Sequence, residues 1–138
     1  MMLYQKILSM STRGKSIQRI TSPIQDVVRE SGIEMGLCTV FVRHTSASLI
    51  IQENADPDVL RDLEQFFSKL VPEDNPYIHS TEGSDDMPAH IRSVLTKTSE
   101  QIPIAQGRLL LGTWQGIYLW EHRTRGHQRE VVVHISGK

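Results

Sequence analysis

Apolar and polar residues nearly alternate from Tyr4 to Met10, and Arg13-Gly14-Lys15 interrupts the pattern before Ser16 to Ile20 resumes it. This predicts two short strands. Ser22, Pro23 and Gln25 then supply a capping hydroxyl, an early Pro and a capping-box amide, the signature of a helix start. Ile24, Val27 and Val28 give that helix one buried stripe, and Gly32 ends it. Leu37 to His44 is rich in β-branched and aromatic residues, with Cys38, Val40, Val42 and His44 on one face and Leu37, Thr39, Phe41 and Arg43 on the other. Ser48 to Gln52 reads as the returning strand.

Asp56-Pro57 opens a second helix whose Val59, Leu60, Leu63, Phe66, Phe67 and Leu70 recur at helical spacing. Val71 to Met87 carries loop signals almost throughout, including Pro72, Asn75, Pro76, Gly83 and the acidic residues of Glu82 to Asp86. Pro88 marks the start of a third helix over Ala89 to Lys97, with Ile91, Val94 and Leu95 facing inward. Ile102 to Ile104, Arg108 to Trp114, Ile117 to His122 and Arg129 to Ile135 read as strands punctuated by glycines. Strands and helices follow no βαβ alternation and the final elements are all strand. The expected class is therefore α+β, one domain over 1–138 with a mostly antiparallel sheet and about three helices.

A chain of 138 residues is expected to bury roughly two-thirds of its unfolded surface, enough to fold without staples. Any metal is then functional before it is structural. The net charge of −1 lacks the field that non-specific nucleic-acid binding uses, so no nucleic-acid partner is expected. Cys38 stands alone, Met1 to Lys15 has no apolar signal core, and no apolar run approaches the roughly eighteen residues of a membrane span. These features predict a cytoplasmic protein with no membrane partner.

Of the six histidines, His127 and His134 look incidental, in a turn and within a strand, and His44, His79, His90 and His122 fall in loops or at element ends beside polar or acidic residues. His79 to Gly83 and Asp85 to His90 form the densest set of possible ligands, suited to a borderline divalent ion. An acidic surface loop with solvated histidines has the same composition. His44-Thr45-Ser46-Ala47-Ser48 puts an imidazole beside hydroxyls that can receive phosphate oxygens or merely satisfy a turn. In Gly112-Thr113-Trp114-Gln115-Gly116, Trp114 is a platform for a planar ring, and strand pleating puts Glu121 and His122 on opposite faces. Glu121 and Arg123 can share one site or form a plain ion pair.

Tyr4-Gln5-Lys6, the His44 to Ser48 turn, Glu53-Asn54-Ala55-Asp56-Pro57, His79 with Glu82-Gly83, Asp85 to His90, Gly107-Arg108-Leu109 and Leu111 to Ile117 together resemble the YjbQ-like family, often called the secondary thiamine-phosphate synthase enzyme family. The resemblance runs nearly end to end. It implies a small α+β domain, a homotrimer, and a divalent ion (Zn, Mn, Fe or Mg) held by His44, His79 and His90. It further implies Glu82, Asp86, Gln115 and Glu121 as acid/base or supporting groups, and Thr45, Ser46, Asn54, Arg108, Trp114 and Arg123 as holders of an anion or substrate. The implied reaction joins a pyrimidinylmethyl diphosphate to a thiazole phosphate and releases pyrophosphate, so the partner is a small phosphorylated metabolite. Metal-dependent hydrolysis of such a metabolite, with Glu121 or Asp86 as base, and metal or anion binding by a non-catalytic trimer are the alternatives.

Overall fold

A computed structural model describes all of residues 1–138. The chain runs β1 (Met2–Ser11), β2 (Ile17–Arg19), α1 (Thr21–Ser31), β3 (Gly36–Val42), β4 (Ala47–Glu53), α2 (Pro57–Leu70), α3 (Asp86–Leu95), β5 (Ser99–Ala105), β6 (Arg108–Leu109), β7 (Gln115–Glu121) and β8 (Gln128–Gly137). All strand pairs are antiparallel, in a five-stranded sheet ordered β1-β8-β3-β5-β6 and a three-stranded sheet ordered β2-β7-β4. The α+β class expected from the pattern is the class observed.

Period-two alternation explains where the core sits. Cys38, Val40 and Val42 of β3, Val131, Val133 and Ile135 of β8, and Ile117 and Leu119 of β7 are buried in one cluster with Ile24, Val27 and Val28 of α1. Cys38 is wholly enclosed there, and burial pushes its thiol up to about 12, so it packs and does not react. The other face of β7 carries Tyr118 and Trp120, and Trp120 meets Phe67 of α2 edge to face with ring centroids 5.1 Å apart. α2 thus covers the small sheet from outside.

Helix boundaries follow local chemistry in two cases and tertiary chemistry in two. Asp56 caps α2 by accepting from the Asp58 N–H at 2.9 Å, with Pro57 in the first turn, and Gly32 ends α1 in the left-handed region at φ 69°. Ser22 does not cap α1. The helix begins at Thr21, whose hydroxyl instead accepts from the Ile117 N–H at 2.9 Å, and Gln25 spans to the backbone of Gly107 and Leu109. The third helix starts at Asp86 rather than Ala89 and turns Pro88, Ala89, Arg92 and Ser93 inward, leaving Val94 and Leu95 exposed. β6 is two residues long, because the stretch to Trp114 leaves the sheet.

One packing detail fixes the loops around the candidate site. A Cβ on Gly14 would lie 1.9 Å from the Thr124 carbonyl oxygen, and one on Gly126 would lie 2.1 Å from that of Thr12. The β1–β2 and β7–β8 turns therefore interlock backbone to backbone, which only glycine permits. Arg123 and Thr124 are held in place by that contact.

Candidate metal centre

Asp86 opens α3 and His90 follows one turn later, so their side chains share a face of the helix. Gly83, at φ 105°, lets the preceding loop double back and bring His79 over that face. His79 Nε2 lies 2.6 Å and His90 Nε2 3.2 Å from the same oxygen, Asp86 Oδ2. One donor atom from each of the three residues lies within 4.8 Å of the others. Asp86 is buried, whereas the side chains of His79 and His90 are 45% and 30% exposed, so the cluster opens to solvent on one side.

Hydrogen bonds behind the donors orient them. His90 Nδ1 is 3.0 Å from the Thr45 carbonyl oxygen, which can only accept; Nδ1 therefore carries a proton, and this bond fixes the ring with Nε2 facing Asp86. Arg123 grips the carboxylates from the rear: Nη1 is 2.9 Å from Asp86 Oδ1, Nε is 2.8 Å from Asp85 Oδ2, and Nη2 donates to the Glu82 carbonyl at 2.9 Å. Burial pushes the Asp86 carboxyl up, but the hydrogen bond to His79 and the charges of His90 and Arg123 outweigh it and hold it below the ordinary range. Asp85 is likewise held low, with Arg123 and the Thr124 N–H overcoming burial. Two imidazole nitrogens, one ionised carboxylate and an open side are a donor set that fits a borderline divalent cation.

The other residues singled out in the sequence divide sharply. Glu82 joins the cluster, with Oε2 3.3 Å from His79 Nε2 and a side chain 63% exposed. His44 does not point into it: Nε2 accepts the Glu130 N–H at 2.8 Å, although the neighbouring Thr45 supplies the carbonyl that holds His90. Burial and the nearby Arg129 charge lower the His44 pKa. Glu121 is fully buried. Its Oε1 accepts from Thr12 Oγ1 at 2.6 Å and from Arg129 Nε at 2.8 Å, and its Oε2 takes the Arg123 N–H at 3.1 Å and Arg129 Nη2. Burial raises the Glu121 carboxyl, yet Arg129 and Thr12 hold it below its ordinary value; it is an ionised acceptor with no free lone pair. Ser46 hydrogen-bonds the same Arg129 at 3.0 Å.

Gln115 and Asn54 build a turn at the far end of the small sheet. Asn54 Nδ2 donates to the carbonyls of Thr113 and Gln115, Gln115 Oε1 accepts from the Gly112 N–H at 2.8 Å, and Trp114 stands exposed on the tip. Gln115 and Glu121 are at opposite ends of β7, about 20 Å apart at strand rise, so within one chain this turn is remote from the cluster. Arg108 lies on β6 beside the C-terminal end of α1. His122 is buried on the face opposite Glu121, as pleating requires, with Nε2 2.7 Å from Ser48 Oγ.

The fold and this cluster define a small α+β protein with a histidine–carboxylate centre beside a helix start. The chain belongs to the YjbQ family: the model described as "UPF0047 protein YjbQ-like" matches residues 6–138. It is 71% identical over 136 residues to a UPF0047 protein of Synechocystis, covering 98% of this chain and 92% of that one. It is 41% identical to UPF0047 protein YjbQ of Escherichia coli O157:H7, covering 99% and 100% of the two chains. A YbjQ-like protein of unknown function from Sulfolobus solfataricus superposes with a TM-score of 0.92 at 25% identity, with 99% of both chains covered. A YjbQ/UPF0047-family protein of Clostridium acetobutylicum superposes at 0.88 with 40% identity, covering 95% and 99%. No helix of the chain is long and apolar enough to cross a membrane.

Sequence reasoning gave Asp86 an acid/base role, where the geometry makes it the shared oxygen of the cluster. The available signal was its i, i+4 spacing to His90 on a helix begun three residues earlier than the reading began it.

Proposed function

We propose that this protein is a metal-dependent enzyme acting on a small phosphorylated metabolite. Its reaction is that of a transferase resembling thiamine-phosphate synthase, joining a pyrimidinylmethyl diphosphate to a thiazole phosphate with release of pyrophosphate. It works as a homotrimer in the cytoplasm. The observation that carries this reading is the convergence of His79, Asp86 and His90 within 4.8 Å, with one side open to solvent.

His79, Asp86 and His90 would hold a divalent ion (Zn, Mn, Fe or Mg), with Thr45 and Arg123 fixing two of the three side chains. Such an ion would supply neutralisation of negative charge on a departing diphosphate. Glu82 is the carboxylate at the rim free to take up or return a proton. A cleft of about 280 Å³ adjoins His79; Pro76, Tyr77 and Met87 offer an apolar wall for a planar ring, and Ser80 and Ser84 offer hydroxyl donors.

The test is a product assay with purified protein free of contaminating synthase, each ion in turn and both phosphorylated substrates. Thiamine phosphate and pyrophosphate are expected in equal amounts, and Asp86→Asn and His90→Ala are expected to abolish both. No thiamine phosphate with any ion overturns the transferase. The exposed Glu82 beside His79 also favours a second reading, hydrolysis of a phosphorylated metabolite, which releases inorganic phosphate without an acceptor. Tight metal binding with every substrate unchanged after long incubation leaves a non-catalytic binding protein. A monomeric mass by light scattering rejects the trimer.

A further inference from the structure

The two sheets are covered unequally. α2 lies over the outer face of the small sheet, whereas the outer face of the large sheet is bare: Leu3, Ile7 and Phe41 on it are 67%, 47% and 45% exposed, and none of its residues is buried. Antiparallel register sorts that face into rows crossing four strands. Leu3, Ser136, Leu37 and Pro103 form one row, and Gln5, His134, Thr39 and Gln101 form the next. Ile7, Val132, Phe41 and Ser99 form the third. One step further along the strands, Arg43 pairs with Glu130 at 3.4 Å.

A solvated antiparallel face alternates to polar and charged side chains. The three rows hold no Asp, Glu, Lys or Arg, although at the chain's 22% charged content about three are expected among twelve surface positions. Their order is apolar, neutral polar, apolar. A second copy of the same face matches that order without adjustment, because rotation about an axis running along the strands keeps every row at its own height. Apolar rows then meet apolar rows, and the middle row meets its own amides and hydroxyl, which both donate and accept. In the fourth row each copy brings one cation and one anion, so like charge does not accumulate.

The dimensions favour three copies. Four strands at their usual spacing are about 19 Å wide, and three such faces around an axis stand about 5.5 Å from it, close to the half-spacing that side chains fill between packed sheets. The same closure lays the free edge of the ten-residue β1 beside the free edge of the next copy's β5, of which β6 covers only Ile104 and Ala105. Two-fold pairing face to face leaves both edges bare.

We propose that the outer face of the large sheet is the contact surface between three copies of this chain, each row meeting its own counterparts around a three-fold axis. The inference rests on the homotrimer proposed for the enzyme and names the surface that builds it.

Thr39→Cys tests the matching of rows. Thr39 is on β3, one of the two central strands of the four, so its counterparts lie about 9 Å away, within reach of a short bismaleimide. Cys38 is buried with its thiol pushed up to about 12 and gives no background. Three thiols around one axis can be joined only two at a time, so cross-linking is expected to stop with about two-thirds of the chains in covalent dimers. Ile7→Lys combined with Phe41→Lys, both exposed in the single chain, gathers like charge around the axis. This double variant is expected to lower the light-scattering mass threefold at micromolar concentration with its far-UV circular dichroism unchanged. Should it fail to fold, the cross-linking decides alone. A monomeric wild type overturns the homotrimer and this surface together. A trimeric wild type whose mass survives both lysines, or whose Thr39→Cys variant does not cross-link, overturns the surface alone. Cross-linking that runs to completion overturns the three-fold arrangement in favour of two-fold pairing.

Discussion

Two clusters of charge stand on either side of Arg123, and they are built on opposite plans. Around Glu121, every carboxylate lone pair is filled by Thr12, Arg129 or the Arg123 N–H, and solvent is excluded. Around Asp86, one oxygen is gripped by Arg123 while the other faces two imidazoles that are themselves partly exposed. The first arrangement has no valence left with which to act; the second keeps donor atoms in reserve. The difference separates a group that holds the fold from one that can meet a ligand, although both are acidic residues beside histidines and arginines.

The comparison breaks most visibly at Arg129. Arg129→Met leaves Glu121 ionised, buried and short of two partners, and is expected to cost about 3–5 kcal/mol in denaturant unfolding. A cost near that of an ordinary surface change would show that the Glu121 cluster is not closed. Acid sharpens the same point. His122 is buried neutral, with its pKa pushed down from 6.5 to about 2 by burial and the charges of Arg92 and Arg129. The unfolded chain therefore binds a proton that the folded chain refuses, so stability falls as pH drops below 6.5. The slope is about 1.4 kcal/mol per pH unit for this one group, and thermal melts of His122→Asn should lose that component between pH 6 and pH 4. Glu121, lowered in the fold, acts in the same direction further down: its stabilisation is complete above the ordinary carboxylate range and drains as pH falls through its depressed value.

At the open cluster, on the proposed reading, the effects fall on divalent-ion binding. Asp86→Asn is expected to weaken divalent-ion affinity by about 100-fold in calorimetric titration, since it removes the charge that both histidines face. Arg123→Met should weaken it by about tenfold, because it loosens Asp86 without removing a donor. The smallest effect is on the fold itself: His90→Ala should change unfolding stability by about 0.5 kcal/mol or less while it removes ion binding. A large loss of stability at His90 would place that cluster with the closed kind.

Most of the framework could be read from alternation and turn chemistry, because β3 and β8 bury one regular face each and Asp56-Pro57 caps α2 locally. Misreadings came where distant partners decide. Thr21 begins α1 because it serves Ile117, and α3 exposes Val94 and Leu95 because Arg92 and Ser93 have buried partners in α2 and β4. At the candidate site, His79, Glu82 and His90 were legible as a local ligand-rich stretch. The roles of Thr45 and Arg123 were not, since they reach His90 and Asp86 from 45 and 37 residues away in the chain. Asn54 and Gln115 also bond the backbone of the turn that carries the exposed Trp114, a local role that residue type alone does not reveal.

The pairing of β1 with β8 sets Met2 against Gly137 and Ser11 against Gln128 along ten matched positions. A nascent polypeptide on the ribosome can form its helices early, but both sheets wait for late segments, the small one for its central strand β7 and β1 for its partner β8. Synthesis thus leaves Leu3 and Ile7 without a neighbour for nearly the whole of translation, and premature stops ahead of residue 128 should yield sticky, insoluble fragments rather than slightly shortened proteins.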